Sequence, residues 1–271
     1  MNLSANCTPA DTELRLASHI GGLPQGDIDQ LSQTFRSNHV AVIDQLLPKD
    51  MVEALTSEAN ILLDRESKRR KLIIKESGNT PRAYSSVGRD AICQHDGVIP
   101  AIFKSDAVLS FLRKLAGENI ERVPYRPEEY IINSQCEPGD THGWHWDDYA
   151  YALIFVIEAP DPLLGGRVEY LSNVEWQKGS TEPYLRRVLQ DNVVRSLYVN
   201  SGQCYFMKAN TTLHRVAPLT GSTKRTVVVL TFASPEDMVS DSITHNSMED
   251  IYPDDTNTKS DDATVEAANV G

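Results

Sequence analysis

The segment THGWHWDDYAYALIFVI, residues 141–157, joins a cluster of histidines, tryptophans and aspartates to an apolar run. The run 151–157 is short and rich in aromatic and β-branched residues, which is typical of a buried β-strand. Other short segments of this character follow residue 122, at 129–134, 167–171, 193–199, 203–207, 213–216 and 225–232. Pro and Gly residues separate them, so this half of the chain is predicted to be mainly β.

The first part of the chain, up to about residue 119, is predicted to be mainly helical. Apolar residues recur near helical spacing over 51–66, after Pro48, and over 103–116, before Gly117. A short apolar run over 39–44 predicts one strand between helices. Many short strands behind a helical front favour a β-sandwich or jelly roll buttressed by helices over a doubly wound sheet.

The length of 271 residues suits one domain with appendages. We expect a single domain over 26–252, with the helical front to about 119 and a β core over 120–235. Residues 1–25 are expected to form an N-terminal arm. Residues 253–271 are acidic and polar without an apolar period, so we expect a disordered tail.

The charge balance limits the possible partners. The chain has 38 acidic and 26 basic residues, a net charge of −12, which disfavours nucleic acid and anionic membrane surfaces. The basic run 68–71 is therefore interpreted as a solvated helix end. No apolar run suits a bilayer span or a signal peptide, and four scattered cysteines suit reduced thiols, so a cytoplasmic location is expected.

Residues within 141–149 are candidates for a metal site. His145 and Asp147 are two residues apart, so on an extended segment their side chains point to the same face. His214, on a later predicted strand, is the leading candidate for a third ligand. Two histidines and one carboxylate form the facial triad of non-haem Fe(II) oxygenases, which leaves three positions open on an octahedral metal.

Arg225 stands eleven residues after His214 and opens a predicted strand. A dicarboxylate co-substrate bound to the metal would need a buried cation for its far end. Arginine suits that role because its planar guanidinium grips a carboxylate through two hydrogen bonds.

The spacing of His145, Asp147, His214 and Arg225 on a strand-rich chain resembles the Fe(II)/2-oxoglutarate-dependent dioxygenase superfamily. The resemblance implies a mainly β fold with N-terminal helices and a double-stranded β-helix core of the jelly-roll or cupin-like type. It also implies Fe(II) on the triad, 2-oxoglutarate as co-substrate with its far carboxylate on Arg225, and O2 as the oxidant.

A narrower resemblance is to the BesD-type group of free-amino-acid halogenases and hydroxylases. It is carried by ESGNTPR at 76–82, VPYRPEEY at 123–130 and THGWHW at 141–146, and spans about residues 70–232. Halogenases of that group have Gly in place of the metal carboxylate, so Asp147 implies hydroxylation. The residues that the resemblance implies for substrate binding are Glu128, His142, Asp148, Arg82 and Thr231.

The substrate implied is a small molecule that bears an ammonium group, because Glu128 and Asp148 are acidic. A free basic amino acid and a cyclic amine of an alkaloid pathway both fit, although Val229 replaces the Asn of the lysine halogenases. Four alternative functions remain open. They are desaturation on the same iron, halogenation on the same iron, a zinc hydrolase, and a non-catalytic β-barrel that binds a small molecule. Two simpler interpretations also remain open: Glu128 could be a solvated neighbour of Arg126, and Asp148 could cap a turn. The oligomeric state is open as well.

Overall fold

A computed structural model describes residues 9–253 of the chain. In this range the helices are α1 Pro9–Gly21, α2 Gln25–Asn38, α3 Lys49–Glu66, α4 Arg89–His95, α5 Val98–Lys104, α6 Asp106–Ala116, α7 Thr181–Asp191 and α8 Asn246–Ile251. The strands are β1 Val40–Ile43, β2 Lys68–Ile74, β3 Thr80–Val87, β4 Glu121–Arg122, β5 Tyr130–Gln135, β6 Thr141–His145, β7 Tyr151–Glu158, β8 Val168–Ser172, β9 Arg195–Leu197, β10 Cys204–Lys208, β11 Thr212–Val216 and β12 Arg225–Ala233. The expected mainly β fold with N-terminal helices is confirmed.

The strands form one antiparallel sheet that curls around a cavity. Their order is β1-β10-β7-β12-β5-β3-β6-β11-β8-β9, with β2 on the free side of β3 and β4 on β12. Strand β3 makes the corner, because Ser85 pairs with β5 whereas Arg82 pairs with β6. Residues from both halves of the sheet line the cavity. This is the jelly-roll arrangement that the sequence predicts.

Alternation along each central strand separates the cavity from the core. On β12, Val227 and Val229 line the cavity, whereas Val228 and Leu230 are buried in the main core with the helices. The same two-residue period runs through β5, β7 and β10, as expected for a sheet with a different environment on each face. The helices thus cover the outer face of the sheet and leave its inner face to the cavity.

Each of the strands predicted after residue 122 is present, with ends that differ by at most two residues. Strand β6 and helix α7 were not predicted. The predicted helix over 103–116 is interrupted at Ser105, whose hydroxyl accepts a hydrogen bond from the backbone N–H of Val108 at 3.1 Å. Serine in this position caps a new helix, so α5 ends and α6 begins there.

The expectation of an N-terminal arm over 1–25 differs from the structure. In the described part of that range, α1 packs against α5 and α6, and Leu16 is fully buried in the main core. Leu16 and Ile20 are four residues apart, so they share one helical face. Residues 1–8 and 254–271, including nearly all of the expected tail, lie outside the described range.

The interpretation of 68–71 as a helix end is wrong, because these residues begin β2. Strand β2 pairs with β3 from Lys68 opposite Ser86 to Ile74 opposite Thr80, so the front contains a hairpin as well as helices. Strand β2 lies at an edge, where charged side chains are common because they discourage pairing with other chains.

No helix in the described range is both long and apolar enough to cross a bilayer.

A buried carboxylate connects two helices of the front. Glu58 of α3 accepts hydrogen bonds from the backbone N–H groups of Val98 (2.5 Å) and Ile99 (3.1 Å) at the start of α5. Its other oxygen is buried without a partner. Burial raises the pKa of Glu58 to about 7. The folded protein therefore holds a proton here that the unfolded chain releases at lower pH.

We expect Glu58 to make a stabilising contribution that is lost as pH rises from about 5 to 7.5, so the free energy of unfolding of Glu58→Gln should lack this contribution relative to wild type. A carboxyl whose native pKa is raised stabilises the fold below its unfolded pKa and loses that contribution as pH rises through the native value, here on the order of 2–3 kcal/mol. Urea unfolding at several pH values measures this, with exposed Glu53→Gln as the control. An unchanged pH slope in Glu58→Gln would contradict the assignment.

Candidate metal centre and substrate cavity

Two adjacent strands bring the predicted triad together. His145 on β6 lies directly opposite His214 on β11. Asp147 follows β6, and its Oδ1 lies 3.4 Å from His145 Nε2 and 3.6 Å from His214 Nε2. One potential ligand atom from each residue lies within 4.8 Å of the other two. The three side chains could therefore hold one metal ion.

Backbone carbonyls fix the orientation of both imidazoles. His145 Nδ1 lies 2.8 Å from the carbonyl oxygen of Gly143, and His214 Nδ1 lies 2.8 Å from that of Thr212. A proton on each Nδ1 satisfies these contacts and leaves the Nε2 lone pairs facing Asp147, as in metal-binding histidines. Burial holds the pKa of His145 well below its ordinary value, so its imidazole is neutral, the form that binds metal.

Arg225 is a buried cation in the wall of the same cavity. Its side chain is buried, with Gln135 Oε1 at 3.4 Å and the Tyr205 hydroxyl at 3.3 Å. No carboxylate of the described residues forms an ion pair with it. A buried guanidinium with only two long, neutral hydrogen bonds favours an anionic ligand from outside the chain.

The cavity contains every residue that the sequence suggests for the substrate. Besides the triad and Arg225, its wall includes Arg82, Glu128, His142, Asp148 and Thr231. All five line the same cavity as the triad, and their roles in substrate binding stay predictions. Trp146 also reaches the cavity wall, but it mainly packs with Leu171 and Leu185, as expected for a packing residue.

Glu128 is not a solvated neighbour of Arg126. It is buried, and its Oε1 lies 2.8 Å from Nδ1 of His245. Burial raises the pKa of Glu128 to about 7, against the opposing hydrogen bond from His245. His245 itself stacks on Tyr125, with ring centroids 3.7 Å apart. Sequence analysis missed His245, and no local spacing could have revealed it, because it lies far from Glu128 along the chain.

Asp148 forms an ion pair with a residue that sequence analysis also missed. Its Oδ1 lies 2.8 Å from Nζ of Lys178, in the segment between β8 and α7. Lys178 also donates a hydrogen bond to the carbonyl oxygen of Ser242 at 3.1 Å. The Asp148 side chain is only 5% exposed. This carboxylate is therefore compensated inside the protein.

Of the remaining predicted residues, Thr231 is on β12, whereas Arg82 on β3 and His142 on β6 lie on the opposite side of the sheet's corner. Arg82 is 2% exposed and donates hydrogen bonds to Thr80 Oγ1 at 3.0 Å and Ser77 Oγ at 3.2 Å, while its Nε has no partner. Burial lowers the pKa of Arg82 to about 10, so it remains a cation at neutral pH. His142 stacks between Tyr84 and His145, with centroid distances of 5.1 and 4.1 Å.

The C-terminal part of the described chain closes one side of the cavity. Ser247, Met248, Ile251 and Tyr252 all contribute to its wall. The Tyr252 hydroxyl donates a hydrogen bond to Asn133 Oδ1 at 3.1 Å, and Arg70 lies 5.1 Å from the centroid of its ring. Sequence analysis did not include this segment in the site.

Replacing either triad histidine should weaken metal binding without unfolding the protein. His145→Ala and His214→Ala each remove a metal ligand. Changes to residues that only support the ligands commonly reduce metal affinity 10–100-fold, so we expect each variant to lose at least about a hundredfold in Fe(II) affinity. Competition with a chromophoric chelator under anaerobic conditions measures Fe(II) affinity, with circular dichroism to check folding. Exposed His95→Ala is the control. Unchanged affinity in either triad variant would exclude that residue as a ligand.

The comparisons with known proteins agree with this fold. The epimerase SnoN from nogalamycin biosynthesis, described as non-heme and alpha ketoglutarate dependent, matches with a TM-score of 0.57 at 14% identity, over 78% of this chain and 84% of that chain. AviO1 from Streptomyces viridochromogenes Tue57 gives 0.58 at 16% identity, over 79% and 97%. A prolyl-4-hydroxylase from Pseudomonas putida gives 0.50 at 14% identity, over 76% and 98%. At these identities the similarity establishes the fold.

No curated protein sequence matches the chain significantly. The model of a family described as Halogenase D (HalD) matches residues 23–253, which include the triad, Arg225 and the cavity wall. Together with the fold, this match confirms the resemblance to the Fe(II)/2-oxoglutarate-dependent superfamily, while the narrower BesD-type resemblance stays a prediction. The chain belongs to the halogenase D family.

Proposed function

We propose that this protein is an Fe(II)/2-oxoglutarate-dependent oxygenase that hydroxylates an unactivated C–H group of a small, amine-bearing molecule. The observation that carries the proposal is the convergence of three ligand atoms, from His145, Asp147 and His214, in one cavity with Arg225. The cavity thus offers a metal site and a separate buried cation that lacks an anionic partner. A zinc hydrolase could use the same ligands but has no use for Arg225.

The residues fit the implied cofactors. His145, Asp147 and His214 would hold Fe(II), and Arg225, with Tyr205 beside it, would hold the far carboxylate of 2-oxoglutarate. When bound, the two supply the redox chemistry: 2-oxoglutarate loses CO2 to become succinate, and O2 gives one oxygen atom to succinate and one to the substrate. The chain's own contribution is to orient the substrate's C–H group and to exclude bulk water.

Hydroxylation is favoured over halogenation although the family is described as halogenases. Asp147 lies within 3.6 Å of both imidazole Nε2 atoms, so its carboxylate would take the metal position that a halide needs. Its negative charge would also repel the anion. Nothing in the cavity opposes desaturation, so product analysis must separate these outcomes.

The substrate would bind through polar groups at the cavity wall. Glu128 would favour an ammonium group, Arg82 and Thr231 would favour an anionic or hydrogen-bonding group, and Asp148 already has Lys178 as its counter-ion. The segment that contains Met248 and Tyr252 would close over the substrate.

Cys93, Cys136 and Cys204 are free thiols, which supports the cytoplasmic location within this proposal.

Arg225→Ala should raise the concentration of 2-oxoglutarate required for turnover by one to three decades. It removes a charge-assisted, two-pronged contact, on the order of 2–4 kcal/mol. Arg225→Lys keeps the charge but not the planar fork, so its requirement should lie between those of wild type and Arg225→Ala. Succinate formation as a function of 2-oxoglutarate concentration measures this. An Arg225→Ala variant with wild-type dependence would contradict the assignment.

A screen of free amino acids and amines tests the function directly. The enzyme is supplied with Fe(II), 2-oxoglutarate, O2 and excess chloride, and each candidate is scored by succinate formation and by product mass. We expect a substrate that gains one oxygen atom in step with succinate. Replacement of hydrogen by chlorine would favour halogenation, and loss of two hydrogens would favour desaturation. Ligand binding without succinate from any compound would favour a non-catalytic binding protein.

A further inference from the structure

The two carboxylates outside the triad that line the cavity have different partners. Glu128 is paired with His245, and Asp148 is paired with Lys178. Among the described residues of the cavity wall, Asp147 supplies the one further carboxylate, and the proposed function assigns it to iron. The availability of Glu128 and Asp148 therefore decides how many ammonium groups a substrate can bring.

Asp148 is not available to a substrate, because Lys178 is held in place by several contacts. The Lys178 ammonium lies 2.8 Å from Asp148 Oδ1, 3.1 Å from the carbonyl oxygen of Ser242 and 4.4 Å from the ring centroid of Trp176. An incoming ammonium would have to displace Lys178 from Asp148 and leave the Lys178 charge without its counter-ion.

Glu128 is available, because its partner is an imidazole. Glu128 and His245 share one hydrogen bond of 2.8 Å, and burial raises the pKa of Glu128 to about 7. His245 makes this one hydrogen bond to Glu128, whereas Lys178 is held at Asp148 with two further contacts. A substrate ammonium beside this buried carboxylate would therefore supply it with a counter-charge.

Arg82 is the corresponding cation for a substrate anion. Its guanidinium is 2% exposed, its hydrogen bonds go to hydroxyl and carbonyl oxygens, and its Nε has no partner. No described carboxylate forms an ion pair with it. Since Arg225 would be used by 2-oxoglutarate, the cavity offers the substrate one cation, Arg82, and one carboxylate, Glu128.

The neighbouring wall consists of apolar side chains and of three uncharged polar residues, Asn133, Thr231 and Ser247. Ile131 of β5 lies opposite Val229 of β12, and Met248 and Ile251 pack nearby from the C-terminal segment. A second substrate charge that entered this region would lose its hydration and find no opposite charge. The wall instead suits a chain of methylene and methyl groups.

We infer that the substrate is an amino acid with one ammonium, one carboxylate and an uncharged aliphatic side chain, and that Lys178 excludes basic amino acids by occupying Asp148. The inference rests on the proposed function and narrows its substrate class. It assigns Lys178 as a residue that determines specificity, although it belongs to the segment between β8 and α7 and not to the β core.

L-Norleucine and L-lysine test this inference, because they differ by a terminal methyl group in place of the side-chain ammonium. Values of kcat/KM are measured from succinate formation with the full-length, iron-loaded protein. We expect norleucine to exceed lysine by at least about tenfold, the scale at which an unpaired buried charge discriminates between ligands. A kcat/KM for lysine equal to or greater than that for norleucine would overturn the inference.

Variants of Lys178 test its role. Lys178→Met leaves Asp148 uncompensated, so the norleucine-to-lysine ratio should move toward lysine by about tenfold or more. The conservative Lys178→Arg should keep the wild-type ratio, and Lys178→Met combined with Asp148→Asn should restore it. A ratio unchanged in a folded Lys178→Met variant would overturn the role of Lys178. If that variant does not fold, the wild-type comparison still decides the substrate class.

The same assay separates failure of the inference from failure of the proposed function. Substrate-dependent succinate from lysine alone, or from an amine without a carboxylate, would reject the inference and leave the oxygenase intact. Binding of iron and 2-oxoglutarate with no succinate from any amino acid would also reject the inference. Failure to bind iron or 2-oxoglutarate at all would reject the proposed function as well.

Discussion

The pairing of β6 with β11 is the contact on which the candidate site depends. It places His145 directly opposite His214, and backbone carbonyls of the same two strands orient both imidazoles. A slip of one residue in either strand would turn one imidazole to the other face of the sheet. The metal site is therefore produced by strand register, and the rest of the cavity is arranged around it.

Much of this arrangement is visible in the sequence, because it depends on local patterns. His145 and Asp147 share a face through their two-residue spacing, and the strand that Arg225 opens is recognisable from its apolar run. What local patterns did not reveal has physical causes. Strand β2 is rich in charge because it lies at an edge, and α1 buries few side chains, among them Leu16, against the helices.

The electrostatics of the cavity could not be predicted in the same way. Lys178 and His245 reach their carboxylates only through the fold, at separations of 30 and 117 residues along the chain. A count of acidic residues near the triad favours a substrate with more than one ammonium. The pairing of Asp148 with Lys178 removes one of those charges, and the same residues then favour a substrate with a single ammonium. Specificity here depends on which carboxylates remain without a fixed counter-ion.

The central claim is that one cavity holds Fe(II) on the triad and 2-oxoglutarate between the metal and Arg225. An anaerobic titration of the purified protein with Fe(II) and 2-oxoglutarate, followed by visible absorption, tests it most directly. The account predicts a weak metal-to-ligand absorption band that requires both components and saturates at one equivalent of each. Binding of the metal with no band upon addition of 2-oxoglutarate would contradict the claim.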